Sequence, residues 1–261
     1  MRKNINFIPL NNDLNKLSAF IPSLDSSWRA NQRIKSKPVM VESLDAVREF
    51  QRQGWNIAGA YEKRAKNRKV GSHFIKMEHP DFVVKNSKGQ AEAVATMNIS
   101  NTCDGSKPME LDLGAYRQVC ANGLIAHTSY SSEKVPHSEK GQYSLNEILA
   151  DLGIRTQGVM EEFNKLKETQ LSPAQAMNLA TQAAEARFGK GHRVDVSQLL
   201  NVVRDEDKGD DVWTVFNRIQ ENLTQPHRIT DHMGNMMNGV SDIIEDTRIN
   251  KELFQLAHAY A

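Results

Sequence analysis

The spacing of apolar positions changes once along the chain, near Ser144. From Trp55 up to that point, apolar and polar residues alternate over short runs; beyond it, apolar residues recur at intervals of three and four. Alternation puts every second side chain on one face of a strand, whereas three-four spacing lines one face of a helix. The expected fold is therefore α+β, with a mainly antiparallel sheet in the N-terminal half and an α-helical C-terminal half. Three segments follow: an N-terminal arm over 1–38, a β-rich core over 39–143, and a helical region over 144–261 packed on it as one compact domain.

Residues 1–38 are broken by Pro9, Pro22 and Pro38, which suits an arm with one helical turn around Leu14 to Phe20. Ser43 precedes Leu44, Val47 and Phe50, and Gly54 follows, marking a short amphipathic helix with a glycine stop. Asn56 to Glu62 and His73 to Glu78 flank the polar loop KRAKNRKVG as a hairpin with a long tip. Phe82 to Lys85 and Ala91 to Ile99 continue the meander around the turn signal NSKG, and Asp104-Gly105 makes the next turn. The segment LGAYRQVCANGL supports a strand turning at Asn122-Gly123 or a short helix ended by Gly123. The helix is favoured, because Tyr116, Val119 and Cys120 fall at i, i+3, i+4. Leu124 to Tyr130 reads as a strand, followed by a polar loop to Tyr143.

The helical half opens with Leu145, Ile148, Leu149 and Leu152 and continues through Val159, Met160, Phe163 and Leu166. Ser172-Pro173 starts a helix that Gly189 closes. Asp195 caps a short helix through Val203. After the charged loop RDEDKGDD, a helix carries Trp213, Phe216, Ile219 and Leu223, and Val240 to Ala259 supplies a last one.

Composition narrows the partners. Thirty-three basic against 32 acidic residues give a net charge of +1, so any nucleic-acid surface has to be a local patch. Two cysteines among 261 residues suit a reducing cytoplasm rather than a disulfide scaffold. The N-terminal MRKNINFIPLNND has no long apolar core, which does not fit a signal peptide. No apolar run approaches the ~20 residues of a membrane span. The expectation is a cytoplasmic protein with no cofactor and no membrane partner; homo-oligomerisation is compatible with this composition.

The densest chemistry lies between Thr96 and Leu124. Cys103, Cys120, His127 and His137 supply zinc-ligand types, but without the close CxxC or HxxxH pairing that a structural site uses. No metal site is assigned. Cys120 with His137 has the residue types of a nucleophilic pair, yet no cysteine-hydrolase signature surrounds it, so the two stand only as weak catalytic candidates. Asn101, Asp104, Gly105, Asn122 and Gly123 suit a turn-forming structural motif, since Asn and Asp bond nearby amides and glycine accepts positive φ. Arg117, in an otherwise apolar stretch, has to reach solvent, pair with a carboxylate such as Asp104 or Asp112, or grip a phosphate. Lys63, Arg64, Lys66, Arg68 and Lys69 crowd the hairpin tip, with Lys76 and His73 just beyond and no acidic residue from 63 to 77. Trp55, Tyr61 and Phe74 lie on the flanking strands. Cations beside aromatics on a sheet can follow a phosphate backbone and stack bases, which makes Lys63, Arg64, Lys66, Arg68, Lys69, Lys76 and Arg117 the nucleic-acid candidates.

The order NTCDGS, then RQVCANGL, then VPH at Val135 to His137 resembles the family called domain of unknown function 932, as does DDVWTVFNRIQENL in the helical half. The similarity spans about Val39 to Ala257, with departures at Thr102, Cys103 and Gln225-Pro226. The resemblance implies a protein of phages, plasmids or integrative elements, often near single-strand DNA-binding and recombination genes, with no assigned reaction. The leading expectation is a non-enzymatic accessory protein that binds single-stranded DNA or a recombination intermediate. Its rivals are a protein that binds and blocks a host defence factor, and a cysteine- or metal-dependent enzyme. Whichever applies, Gly123→Val should lower the melting temperature, because a β-branched residue tolerates positive φ poorly; unchanged melting would contradict the turn assigned to Gly123.

Overall fold

The computed structural model describes residues 8–24, 39–64, 71–85, 89, 91–117 and 127–261. They form two compact units, one of residues 6–123 and 130–159, the other of residues 160–261 with 127–129. The division falls inside a helix, after Val159.

The first unit is built on a six-stranded sheet whose order follows the sequence: β1 (Ile8–Pro9), β2 (Asn56–Arg64), β3 (Gly71–Lys85), β4 (Ala91–Thr102), β5 (Met109–Arg117) and β6 (His127–Val135). The β1–β2, β2–β3, β3–β4 and β4–β5 pairs are antiparallel. Alternation along these strands sorts their side chains. Ile75 and Met77 on β3, Ala93, Ala95, Met97 and Ile99 on β4, and Leu111, Leu113 and Ala115 on β5 are at most 3% exposed. Helix α1 (Leu14–Phe20) and α2 (Ser43–Arg52) pack on β2 and bury Leu17, Ala46, Val47 and Phe50. Burial of Leu17, Val47 and Phe50 stabilises by roughly 1.5–3 kcal/mol each relative to exposure, and that of Ala46 by under about 1 kcal/mol. Gly54, at φ +90°, ends α2 and lies against the His79 ring, where a Cβ would come within 3.0 Å of Nε2.

Several elements differ from the sequence expectation. Residues 113–117 continue β5 as a strand, not a helix. Leu111, Leu113 and Ala115 alternate inward there, and the ladder to β4 outweighs a helical spacing that depended on residues beyond Arg117. Phe82 to Lys85 is no separate strand: β3 runs on through Pro80, with a register shift between His79 and Val83. Helix α3 (Glu139–Ala150) begins before Ser144, because Ser138 caps it by accepting from the Gly141 amide. Its first turn is polar and shows no apolar period. A break at Asp151 separates α3 from α4 (Leu152–Glu168), which had read as one segment. Trp55 is core rather than platform: it is 2% exposed, edge-on to Phe50 and His79.

The second unit surrounds α6 (Val212–Thr224), with α5 (Pro173–Phe188) and α7 (Ile243–His258) against it. Ser172 and Gln175 form a reciprocal cap at the start of α5. Trp213 and Phe254 both meet Phe163, at centroid distances of 4.9 and 5.6 Å. Almost every α6 residue is buried, and its polar side chains satisfy the loops around it. Arg218 donates to the carbonyls of Asp207 and Gly209, Asn222 to those of Leu199 and Asn201, and Gln220 to Asn250 Oδ1. Among the described residues no helix is long and apolar enough to cross a membrane.

One buried carboxyl in this unit gives a pH test. Burial pushes Asp246 up to about 7, against the opposing pull of the Asn250 amide and the Arg187 charge. Arg187 is itself pushed down to about 10, first by burial. A carboxyl whose folded pKa exceeds its unfolded value, here 3.8, stabilises the fold fully below that value. The contribution is lost as pH rises through about 7, by at most about 1.4 kcal/mol per pH unit. Asp246→Asn removes the titration. In urea unfolding, the variant should gain on the wild type from pH 5 up to about 7 and level off above it; parallel profiles would contradict the assignment.

Candidate nucleic-acid interface and the buried network at its root

The hairpin that carries the basic run rises from paired strand ends, with Lys63 opposite Ser72 and Arg64 opposite Gly71. Two residues further down each strand, Tyr61 stands opposite Phe74, with ring centroids 6.2 Å apart and both side chains half-buried. Paired residues in an antiparallel ladder point to the same side. The two rings therefore lie together on the polar face, at the root of the hairpin. Lys76 shares this face but is 7% exposed and bound to Glu78 at 2.7 Å. Burial pushes its ammonium below the ordinary lysine value, and Glu78 offsets part of that shift. Arg117 pairs in register with Ala93 on the far side of β4. Lys66, Arg68 and Lys69 lie outside the described residues.

Below the hairpin, on the core face, sits a group whose members the sequence pattern did not bring together. His73 is fully buried and in phase with Ile75 and Met77. Its Nδ1 meets Ser23 Oγ at 3.0 Å and its Nε2 meets Ser43 Oγ at 2.8 Å. In a neutral imidazole one nitrogen donates and the other accepts, so one serine hydroxyl accepts and the other donates. Asn101, opposite His73 on β4, donates through Nδ2 to Ser43 Oγ at 3.0 Å and to the Val41 carbonyl at 3.2 Å. The Ser23 amide donates to Glu62 Oε1 at 2.9 Å. This network ties the turn Pro22–Leu24, the start of α2 and the ends of β3 and β4 to the hairpin's root. The available signal was the strand phase of His73, which puts a polar ring where a leucine would be expected.

The remaining motif residues have structural roles. Cys103 is buried, its Sγ accepting from the Gly71 amide and its own amide donating to the Gly71 carbonyl. His137 Nδ1 accepts from the Val41 amide at 3.2 Å, so Nε2 carries the proton and donates to the Lys107 carbonyl at 2.9 Å. With both nitrogens held by backbone, His137 is poorly placed for base chemistry. Asp104 accepts from the Ser106 amide within its own turn, and so enters a different bond from Asn101. Gly105 sits at φ +66°, where a Cβ would meet Met40 Sδ at 2.8 Å and His137 Cδ2 at 3.3 Å. Cys120, Asn122 and Gly123 lie outside the described residues, and His127 opens β6. Among the described residues no group of three or more His, Cys, Asp or Glu side chains is placed to hold a metal ion.

The two halves of the NTCDGS motif should differ in energetic weight. Asn101→Ala takes the side-chain partner from the buried Val41 carbonyl and Thr102 amide and should lower the unfolding free energy by about 1–3 kcal/mol. Asp104→Ala removes one bond in a solvent-reached turn and should cost under ~1 kcal/mol. Equal losses in urea unfolding would contradict this division.

The family model described as a domain of unknown function, DUF932, matches residues 36–253. The chain is 26% identical over 258 residues to the UPF0380 protein YafZ of Escherichia coli K12, covering 94% of this chain and 89% of that protein. It is 27% identical over 216 residues to the UPF0380 protein YfjQ of the same organism, covering 80% and 75%. No solved structure matches significantly. With the NTCDGS turn, the His137 pin and the buried α6 in place, the chain belongs to the DUF932 family.

Proposed function

We propose that this protein is a non-enzymatic accessory factor of a phage, plasmid or integrative element, and that it binds single-stranded DNA or a recombination intermediate. The observation that carries the reading is the Tyr61–Phe74 pair, set on the polar sheet face with Lys63, two residues from Tyr61, at the entry to the basic hairpin. Aromatic rings on a sheet give bases a stacking surface, and cations beside them neutralise the phosphates between those bases. The mobile-element setting rests on the family resemblance.

The buried network supports this reading through geometry. A platform built on two strands holds its rings in place only if those strands keep their register. His73, next to Phe74 in the chain, fixes that register together with Ser43 and Asn101. The same network speaks against a hydrolase, because the His73 nitrogens face serines inside the core rather than an open cleft.

Two variants separate charge from stacking. Lys66, Arg68 and Lys69 changed together to Gln should weaken binding and flatten the single-strand salt slope by about 0.7 for each phosphate no longer neutralised. Tyr61→Ala should weaken binding by about 1–3 kcal/mol and leave the salt slope unchanged. Both are read by fluorescence anisotropy with labelled single strands at two salt concentrations. Equal binding by wild type and both variants would remove this face from the function. No binding by any protein at low salt would favour the host-factor alternative.

A further inference from the structure

The aromatic pair belongs to a longer row. Tyr61 is opposite Phe74, Phe74 is opposite Ser100, and Ser100 is opposite Glu110. The register shifts in these ladders fall elsewhere, at Ile57/Gly59, His79/Val83 and Val84/Lys85. One row therefore crosses four strands on the polar face, reading ring, ring, hydroxyl, carboxylate. Strands lie about 4.8 Å apart, so Ser100 is one step and Glu110 about 10 Å from Phe74. A nucleobase lying on Phe74, together with the reach of a glutamate side chain, spans that distance.

The chemistry beyond the rings is that of acceptors. Ser100 and Glu110 are both half-buried and reachable from solvent, whereas the next row, Lys76, Asn98 and Asp112, has its ammonium held by Glu78. Glu110 pairs with Lys134 at 3.4 Å, and those side chains are 34% and 68% exposed. An exposed pair of that length holds its carboxylate weakly, so a ligand amine can displace the lysine. Carboxylates accept from the exocyclic amines of cytosine and adenine; thymine instead presents a carbonyl at that position.

We infer that Glu110, with Ser100 beside it, selects the base stacked on this platform by accepting from an exocyclic amine, so that cytosine- or adenine-bearing single strands bind in preference to thymine. The inference rests on the nucleic-acid reading above. Cytosine and thymine are compared because both are pyrimidines and stack alike.

The test measures the affinities of labelled dC12 and dT12 for the wild type and for Glu110→Gln. The wild type should favour dC12 by about fivefold or more. In the variant the amide can donate to the thymine carbonyl as well as accept from an amine, so the ratio should fall to about twofold or less. Removing a negative charge raises both affinities together, which is why the ratio carries the result. A wild-type ratio near one, or a ratio unchanged in the variant while both strands bind, overturns the role of Glu110. Failure of both strands to bind the wild type overturns the nucleic-acid reading itself.

Discussion

A fully buried imidazole has two nitrogens that need partners, and in this fold the partners come from segments far apart in sequence. Ser23 belongs to the arm, Ser43 to the start of α2, and His73 and Asn101 to neighbouring strands. An unpaired buried polar atom costs about 1–3 kcal/mol, so none of these segments can move without stranding a neighbour. The network therefore sets the register of β3 against β4 and fixes where the basic hairpin leaves the sheet. Gly71 reinforces it from the hairpin's second strand through its two backbone bonds to Cys103.

The second unit meets the same constraint in a helix. Asn217, Arg218, Gln220 and Asn222 are buried on α6, and each bonds to a backbone carbonyl or another buried amide. The polar side chains of this Trp-containing helix thus have a structural explanation: they hold the preceding segments at 199–201 and 207–209 and the facing helix α7. No reaction needs to be invoked for them.

Much of the architecture was legible because it follows periodicity. Ile75, Met77, Met97 and Ile99 recur at every second position as one face of a strand requires, and Trp213, Phe216, Ile219 and Leu223 repeat as a buried helix does. The errors came where local pattern and tertiary context disagree. Tyr116, Val119 and Cys120 have helical spacing, yet the residues before them pair as a strand. The first turn of α3 is polar, so only its cap at Ser138 marked the true start. The network was illegible for a different reason. Ser23, Ser43, His73 and Asn101 are separated by up to 78 residues of chain and meet only through the fold. Of the proposed interface, Tyr61, Phe74 and Lys63 were visible as types beside a loop; that the two rings share a face, and that Glu110 ends their row, came from the register.

The central claim is that bases stack on the Tyr61–Phe74 pair. Photocrosslinking with a single strand carrying 5-iodocytosine tests it most directly, since iodinated bases join preferentially to aromatic rings they stack on. Stacking there predicts adducts on the peptides containing Tyr61 or Phe74, competed away by unlabelled dC12. Adducts confined to residues 160–261, or crosslinking unaffected by competitor, would contradict it.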